Sequence, residues 1–182
     1  MGRRSLSGVS AFNGDVEQMF LGQYVHTLDD HGRVIIPARF RPALRDGVYL
    51  LRGLDQNLMA LTPSQFEALA AQLQRLSLTD PMARQLKRLM FSAAAFERLD
   101  NAGRIRIAAP LRALAGLQDE VVIAGVGDYF ELWSPEAWKA QEQALNDAEA
   151  NAQRFIMFQL SLQAATAASA ETGDTEPEDD GQ

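Results

Sequence analysis

The chain has 182 residues, 47% of them hydrophobic, which is enough for a sizeable core in one domain or two halves. It has no cysteine, which excludes a disulfide framework, a thiolate metal site and a cysteine nucleophile and suits a cytosolic protein. The net charge of −7 misleads about partners: six of the 24 acidic residues fall in positions 171–182, while residues 19–163 hold 15 Lys and Arg against 16 Asp and Glu.

The folded body is therefore near neutral, and its basic residues are almost all Arg. That residue is suited to forked contacts with phosphates and guanine edges, although a genome-wide preference for Arg codons gives the same composition. No apolar run approaches the roughly 20 residues of a membrane span, and the first 18 residues lack the apolar stretch of a signal peptide.

In chain order, residues 1–18 are polar, contain Gly and Ser, and show no period; they read as a disordered leader, with Met19 a candidate natural start. Phe20 to Leu28 and Val34 to Ile36 read as strands. Pro37 ends the second strand, and Ala38 to Arg45 reads as a short helix. Val48 to Leu51 and Leu58 to Leu61 are two further strands, joined by a turn over Gly53–Asn57. Residues 62–94 form a helical connection. Its first helix is capped by Thr62 or Ser64, with Pro63 in the opening turn and an apolar stripe of Phe66, Leu69, Ala70, Leu73 and Leu76. The second opens at Asp80-Pro81. It sets Met82, Leu86, Leu89 and Met90 on one side against Arg84, Lys87 and Arg88 on the other, a basic face for phosphate or for solvent.

Residues 95–134 repeat the order of residues 19–61: strands over Ala95–Leu99 and Ile105–Ala108, a helix over Leu111–Ala115, then strands over Glu120–Ala124 and Tyr129–Trp133. A polar helix follows Pro135 to about Asn151, anchored by Trp138 and Leu145. The apolar stretch Phe155–Leu162 fits a helix or an edge strand, and needs a packing surface such as a neighbouring subunit. Residues 164–182 read as a flexible acidic tail beyond a helical segment over 135–163.

The repeat is the main clue. Leu28-Asp29-Asp30-His31-Gly32-Arg33-Val34-Ile35-Ile36 returns 71 residues later as Leu99-Asp100-Asn101-Ala102-Gly103-Arg104-Ile105-Arg106-Ile107. Ala38 then matches Ala109 and Arg41 matches Arg112. After a one-residue slip Gly53 matches Gly125, Thr62-Pro63 matches Ser134-Pro135, and Phe66 matches Trp138. Each copy fits a three-residue hairpin loop ending in a left-handed Gly32 or Gly103. Asp29 then faces Arg33, and Asp100 faces Arg104, across the strand ends. The pairs either pin the turns as exposed ion pairs or hold each Arg at a rigid tip for a nucleic-acid groove or phosphate; the repetition leans towards the second.

On the Met-Phe-Leu-Gly-Gln-Tyr opening, both Asp-x-x-Gly-Arg signatures, the RVIIPARFR run and the FELWSPEAW close, the chain resembles the MraZ family of bacterial transcriptional regulators over about Met19 to Leu145. The resemblance implies an α+β fold, a tandem pseudo-repeat swapped-hairpin (AbrB-like) β-barrel with helices between and after the repeats. It implies a ring-shaped homo-oligomer that binds short direct repeats in double-stranded DNA upstream of the division and cell-wall gene cluster containing its own gene, and represses that cluster. It also implies a cytoplasmic, nucleoid-associated protein. The signature arginines, Arg33 and Arg104, are the implied DNA contacts, with Asp29, Asp100, Gly32 and Gly103 completing the site. Arg39 and Arg41 are added as supporting phosphate contacts, although only Arg41 has a counterpart in the second copy. His31 has no assigned role.

Other classes have less support. The histidines are His26 and His31, and no Ser-His-Asp order or paired-carboxylate site emerges. Asp29-Asp30-His31 lacks the further ligands a metal needs. Gly125-Val126-Gly127 lacks the following helix of a nucleotide loop and reads as a hairpin turn. No cofactor or small-molecule substrate is called for. The alternative is an oligomeric protein-binding scaffold using the hairpin tips.

Overall fold

The computed structural model describes residues 19–171, with side chains through residue 164; the leader and the tail from residue 172 lie outside the described residues. One compact unit ends at Trp138 and a second begins at Lys139.

The strands of the first unit are β1 (Phe20–Thr27), β2 (Arg33–Ile35), β3 (Val48–Arg52), β4 (Asn57–Leu61), β5 (Ala95–Glu97), β6 (Arg104–Arg106), β7 (Glu120–Gly127) and β8 (Phe130–Trp133). Six of them form an antiparallel sheet in the order β1-β7-β8-β4-β3-β5. The remaining two pair separately as a β2–β6 ribbon, with Val34 opposite Ile105. The copies exchange strands. β1 of the first lies on β7 of the second, and β5 of the second lies on β3 of the first. A closed barrel, expected from the resemblance, is not found among the described residues. β1 and β5 end the sheet without pairing to each other, and the ribbon pairs as its own two-stranded sheet, joined to the residue after β1 by an isolated bridge between Leu28 and Val34.

Alternation explains why the ribbon sits where it does. Val34, Ile36, Ile105 and Ile107 are buried, whereas Ile35 and Arg106 between them are exposed. The inward set joins Phe20, Phe40, Phe130, Leu111 and Ile123 in the main core. Burying each such side chain contributes about 1.5–3 kcal/mol, so the core fixes which face of the ribbon points out.

The short helix expected after β2 is a 3-10 helix (Ala38–Leu44). Pro42 inside it has no N–H to donate, and the Phe40 amide bonds Pro37 O at 2.9 Å, three residues back. The matching segment of the second copy, α3 (Ala109–Ala115), is α-helical and ends on left-handed Gly116.

Between the copies, α1 (Pro63–Gln74) and α2 (Pro81–Phe91) form the helical connection. Thr62 is the cap of α1, in a full capping box with Gln65. Phe66 stacks flat on Tyr49 at 3.9 Å, while its repeat counterpart Trp138 meets Trp133 edge-on at 5.7 Å. The apolar stripe expected on α2 is rotated: Ala83 and Met90 are buried, whereas Met82 is 71% exposed. The basic face of α2 is turned inward on its own loop. Arg84 donates to Leu78 O and Thr79 O, and Lys87 donates to Leu76 O, which leaves Arg88 exposed.

The single polar helix expected after Pro135 is two helices, α4 (Pro135–Leu145) and α5 (Ala148–Glu171). Asp147 accepts from the Ala150 amide and Asn151 donates to Leu145 O, which caps both sides of the break. The Phe155–Leu162 stretch is helix rather than edge strand, and α5 runs past residue 163 through an Ala-rich segment of high helix propensity.

Candidate nucleic-acid interface

Each signature closes the expected turn. Asp29 N donates to Arg33 O at 2.9 Å and Gly32 N to Asp29 O at 2.8 Å; the second copy repeats both bonds at 2.9 Å. Gly32 has φ +71° and Gly103 φ +76°, so both are in the left-handed region that favours glycine.

The aspartates organise these turns. Asp29 Oδ1 accepts from the amides of His31 and Arg33, and its Oδ2 accepts from Arg33 Nε at 2.8 Å. Asp100 does the same with Ala102, Arg104 and Arg104 Nε. A carboxylate with three donors on it is stabilised in its charged form. For Asp29, desolvation works upward, but the Arg33 amide and guanidinium and the His31 amide outweigh it and hold its pKa below the ordinary 3.8. For Asp100 the Arg104 amide is the leading cause of the same downward shift.

Because the folded values lie below the unfolded ones, each carboxylate stabilises the fold above pH 3.8. That contribution is lost as pH falls through the folded value. Carboxyl-carbon NMR titration is expected to place both midpoints below 3.8; a midpoint at or above it would mean the turn is not held this way.

The ribbon brings the two turns together. Arg104 Nη1 lies 3.7 Å from Asp29 Oδ2, across the copies, and Arg104 Nη2 is 2.9 Å from its own Asp100. The backbone interlocks reciprocally. Ile36 N donates to Gly103 O at 2.9 Å, and Ile107 N donates to Gly32 O at 2.7 Å. Arg33 and Arg104, 71 positions apart in sequence, thus share one small, partly exposed cluster with both aspartates.

Arg41 and Arg112 are placed differently from Arg33 and Arg104. Arg41 Nε donates to Ile36 O at 2.8 Å, and its guanidinium lies against Gly103 of the other copy, where an added Cβ would be 2.5 Å from Arg41 Cζ. Arg112 mirrors this on Ile107 O and Gly32. Each therefore braces the opposite turn from below. Arg39 is exposed on the 3-10 helix, and His31 is exposed at the turn.

The residue that sequence reasoning missed is Arg106. It lies opposite Arg33 in the ribbon and is exposed. The available signal was the Arg104-Ile105-Arg106 alternation, which puts both arginines on one face if the segment is a strand.

Among the described residues no group of three or more His, Asp or Glu is arranged to hold a metal ion, and no helix is long and apolar enough to cross a membrane. The chain matches the family model described as "MraZ protein, putative antitoxin-like" twice, over residues 19–89 and 90–159. It is 47% identical to the transcriptional regulator MraZ of Roseiflexus sp. (strain RS-1) over 137 residues, which is 75% of this chain and 94% of the relative. The protein of the same name from Ligilactobacillus salivarius is 40% identical over 143 residues, 78% of this chain and all of the relative. The one from Deinococcus radiodurans is 40% identical over 122 residues, 67% of this chain and 86% of the relative.

Proposed function

Since the chain belongs to the MraZ family, we propose that it is a DNA-binding transcriptional regulator that recognises direct repeats through Arg33 and Arg104. The observation that carries this reading is their convergence: two guanidiniums from distant segments, each oriented by an aspartate, on the outer face of one ribbon whose inner face is buried. A guanidinium fixed in this way keeps free N–H groups in a planar fork that matches guanine O6 and N7 or a phosphate. The strand exchange between the copies supports a swapped-hairpin architecture of the AbrB type.

The protein represses the division and cell-wall gene cluster that contains its own gene, and works on the nucleoid as a ring of identical subunits. Two features support assembly. The body carries little net charge to attract DNA at long range, so affinity comes from several linked sites engaging evenly spaced repeats. In α5, Phe155, Ile156, Met157, Phe158, Leu160 and Leu162 are each more than half exposed, an apolar girdle that a second copy of the chain covers. Arg39 adds a phosphate contact at the edge of the site, whereas Arg41 acts through the turn it braces.

Fluorescence anisotropy on duplex DNA from upstream of the chain's own coding sequence tests the reading, with a scrambled-repeat duplex as control. Arg33→Ala and Arg104→Ala are each expected to weaken binding by about 5- to 150-fold, the range for one arginine–guanine fork. Light-scattering mass should stay unchanged, and the melting temperature should fall only slightly, as for loss of a partly exposed ion pair. Equal binding to scrambled DNA at low and moderate salt would overturn the proposal in favour of a protein-binding scaffold. Loss of assembly in either variant would make the ion pairs structural.

A further inference from the structure

The outer face of the ribbon is not symmetric. In an antiparallel pair, residues directly opposite one another share a face. The register sets Arg33 opposite Arg106, Val34 opposite Ile105, and Ile35 opposite Arg104. With Val34 and Ile105 buried, the four outward residues are Arg33, Arg106, Arg104 and Ile35. Ile35 and Arg106 occupy the same position in the two copies. One half of the ribbon therefore presents two arginines, and the other half presents an arginine and an exposed isoleucine.

We propose that Arg106 is a third DNA-contacting residue and that the Ile35/Arg106 difference makes the two halves of the ribbon read different base sequences. This rests on the DNA-binding reading above. Three arguments support it. Arg33 and Arg106 are like charges directly opposite each other, which by itself destabilises a strand pair; an anionic ligand across the ribbon removes that cost. Arg106 is exposed and forms no ion pair within 4.0 Å among the described residues, whereas Arg33 and Arg104 are each held by an aspartate. Glu97 on β5 feels the Arg106 charge, but the two form no ion pair within 4.0 Å. Finally, the two outward side chains have different chemistry. A guanidinium matches guanine O6 and N7 or a phosphate, while an exposed aliphatic group matches the thymine methyl and offers no donor. A repeat read by this ribbon is expected to be guanine-biased under the Arg33/Arg106 half and to carry a thymine under Ile35 in the Arg104/Ile35 half.

Anisotropy titrations on the upstream duplex across a salt series test this, using Arg106→Ile, Arg106→Lys and Ile35→Arg beside the Arg33→Ala, Arg104→Ala double variant. Arg106→Ile is expected to weaken binding by about fivefold or more and to flatten the log K against log salt slope by about 0.9. Arg106→Lys should keep the slope but lose base preference in its half of the repeat. Ile35→Arg should make the preferences of the two halves alike in a scan of every base pair of the repeat. If the double variant loses binding while Arg106→Ile keeps wild-type affinity, slope and preference, the inference on Arg106 fails and the DNA-binding reading stands. If wild-type protein shows no repeat preference, the reading itself fails. Position 106 is exposed, and Arg106→Lys keeps the charge should Arg106→Ile fold poorly.

Discussion

Phe40→Ala is expected to lower the unfolding free energy by about 3–5 kcal/mol, the usual cost of emptying a buried aromatic position. Phe40 is 1% exposed, and its ring meets Phe20 edge-on at 5.0 Å, Tyr24 edge-on at 5.5 Å and Phe130 at 5.5 Å. Those partners come from β1 and β8, so a single side chain ties the 3-10 helix behind the ribbon to two strands of the main sheet. Urea unfolding should show a lower midpoint with an unchanged slope. A loss below about 1 kcal/mol would mean that these four rings do not pack as one cluster. Leu111, the counterpart of Phe40 in the second copy, is as deeply buried, and Leu111→Ala should cost about 2–5 kcal/mol.

The Gly32→Ala, Gly103→Ala pair should damage the site more than the core. At both positions φ is positive, which costs an alanine about 1–2 kcal/mol. Each new methyl group also falls where a bracing guanidinium lies. At Gly32 the Cβ would be 1.7 Å from Arg112 Nη1 and 3.0 Å from Ile107 O; at Gly103 it would be 2.5 Å from Arg41 Cζ and Nε. The arginine ends can move aside, but Arg41 then gives up its bond to Ile36 O and Arg112 its bond to Ile107 O, each about 0.5–1.5 kcal/mol. The double variant is expected to lose about 3–7 kcal/mol in total and to bind operator DNA as poorly as the Arg33→Ala, Arg104→Ala protein. Wild-type DNA affinity together with a lowered melting temperature would separate turn geometry from recognition.

The signature turns were legible because everything that makes them lies within five residues. Asp29 caps its own loop, Gly32 takes the conformation other residues avoid, and Arg33 returns to Asp29. The strands of each copy were legible for the same reason, and the cap of α1 was narrowed to Thr62 or Ser64, of which the capping box selects Thr62. The 3-10 character of Ala38–Leu44 was less so, although Pro42 was in view. The rotation of α2 was not, because adjacent stripes of that helix are both apolar and the surrounding structure chooses between them. The break at Asn146–Asp147 depends on side chains that cap rather than continue a helix, and polarity alone does not separate those uses.

Two copies of a turn that fixes an arginine beside an aspartate, and an alternation that gives each following strand one apolar face, are written in the residues themselves. That these strands pair with each other, that the main sheet stays open, and that Arg41 and Arg112 cross over to brace the opposite turn follow from packing between distant segments. Local hydrogen bonding and glycine stereochemistry act over a few residues and are written in them. Pairing across 71 positions is instead selected by the shared core beneath the ribbon, where Val34, Ile36, Ile105 and Ile107 are buried together.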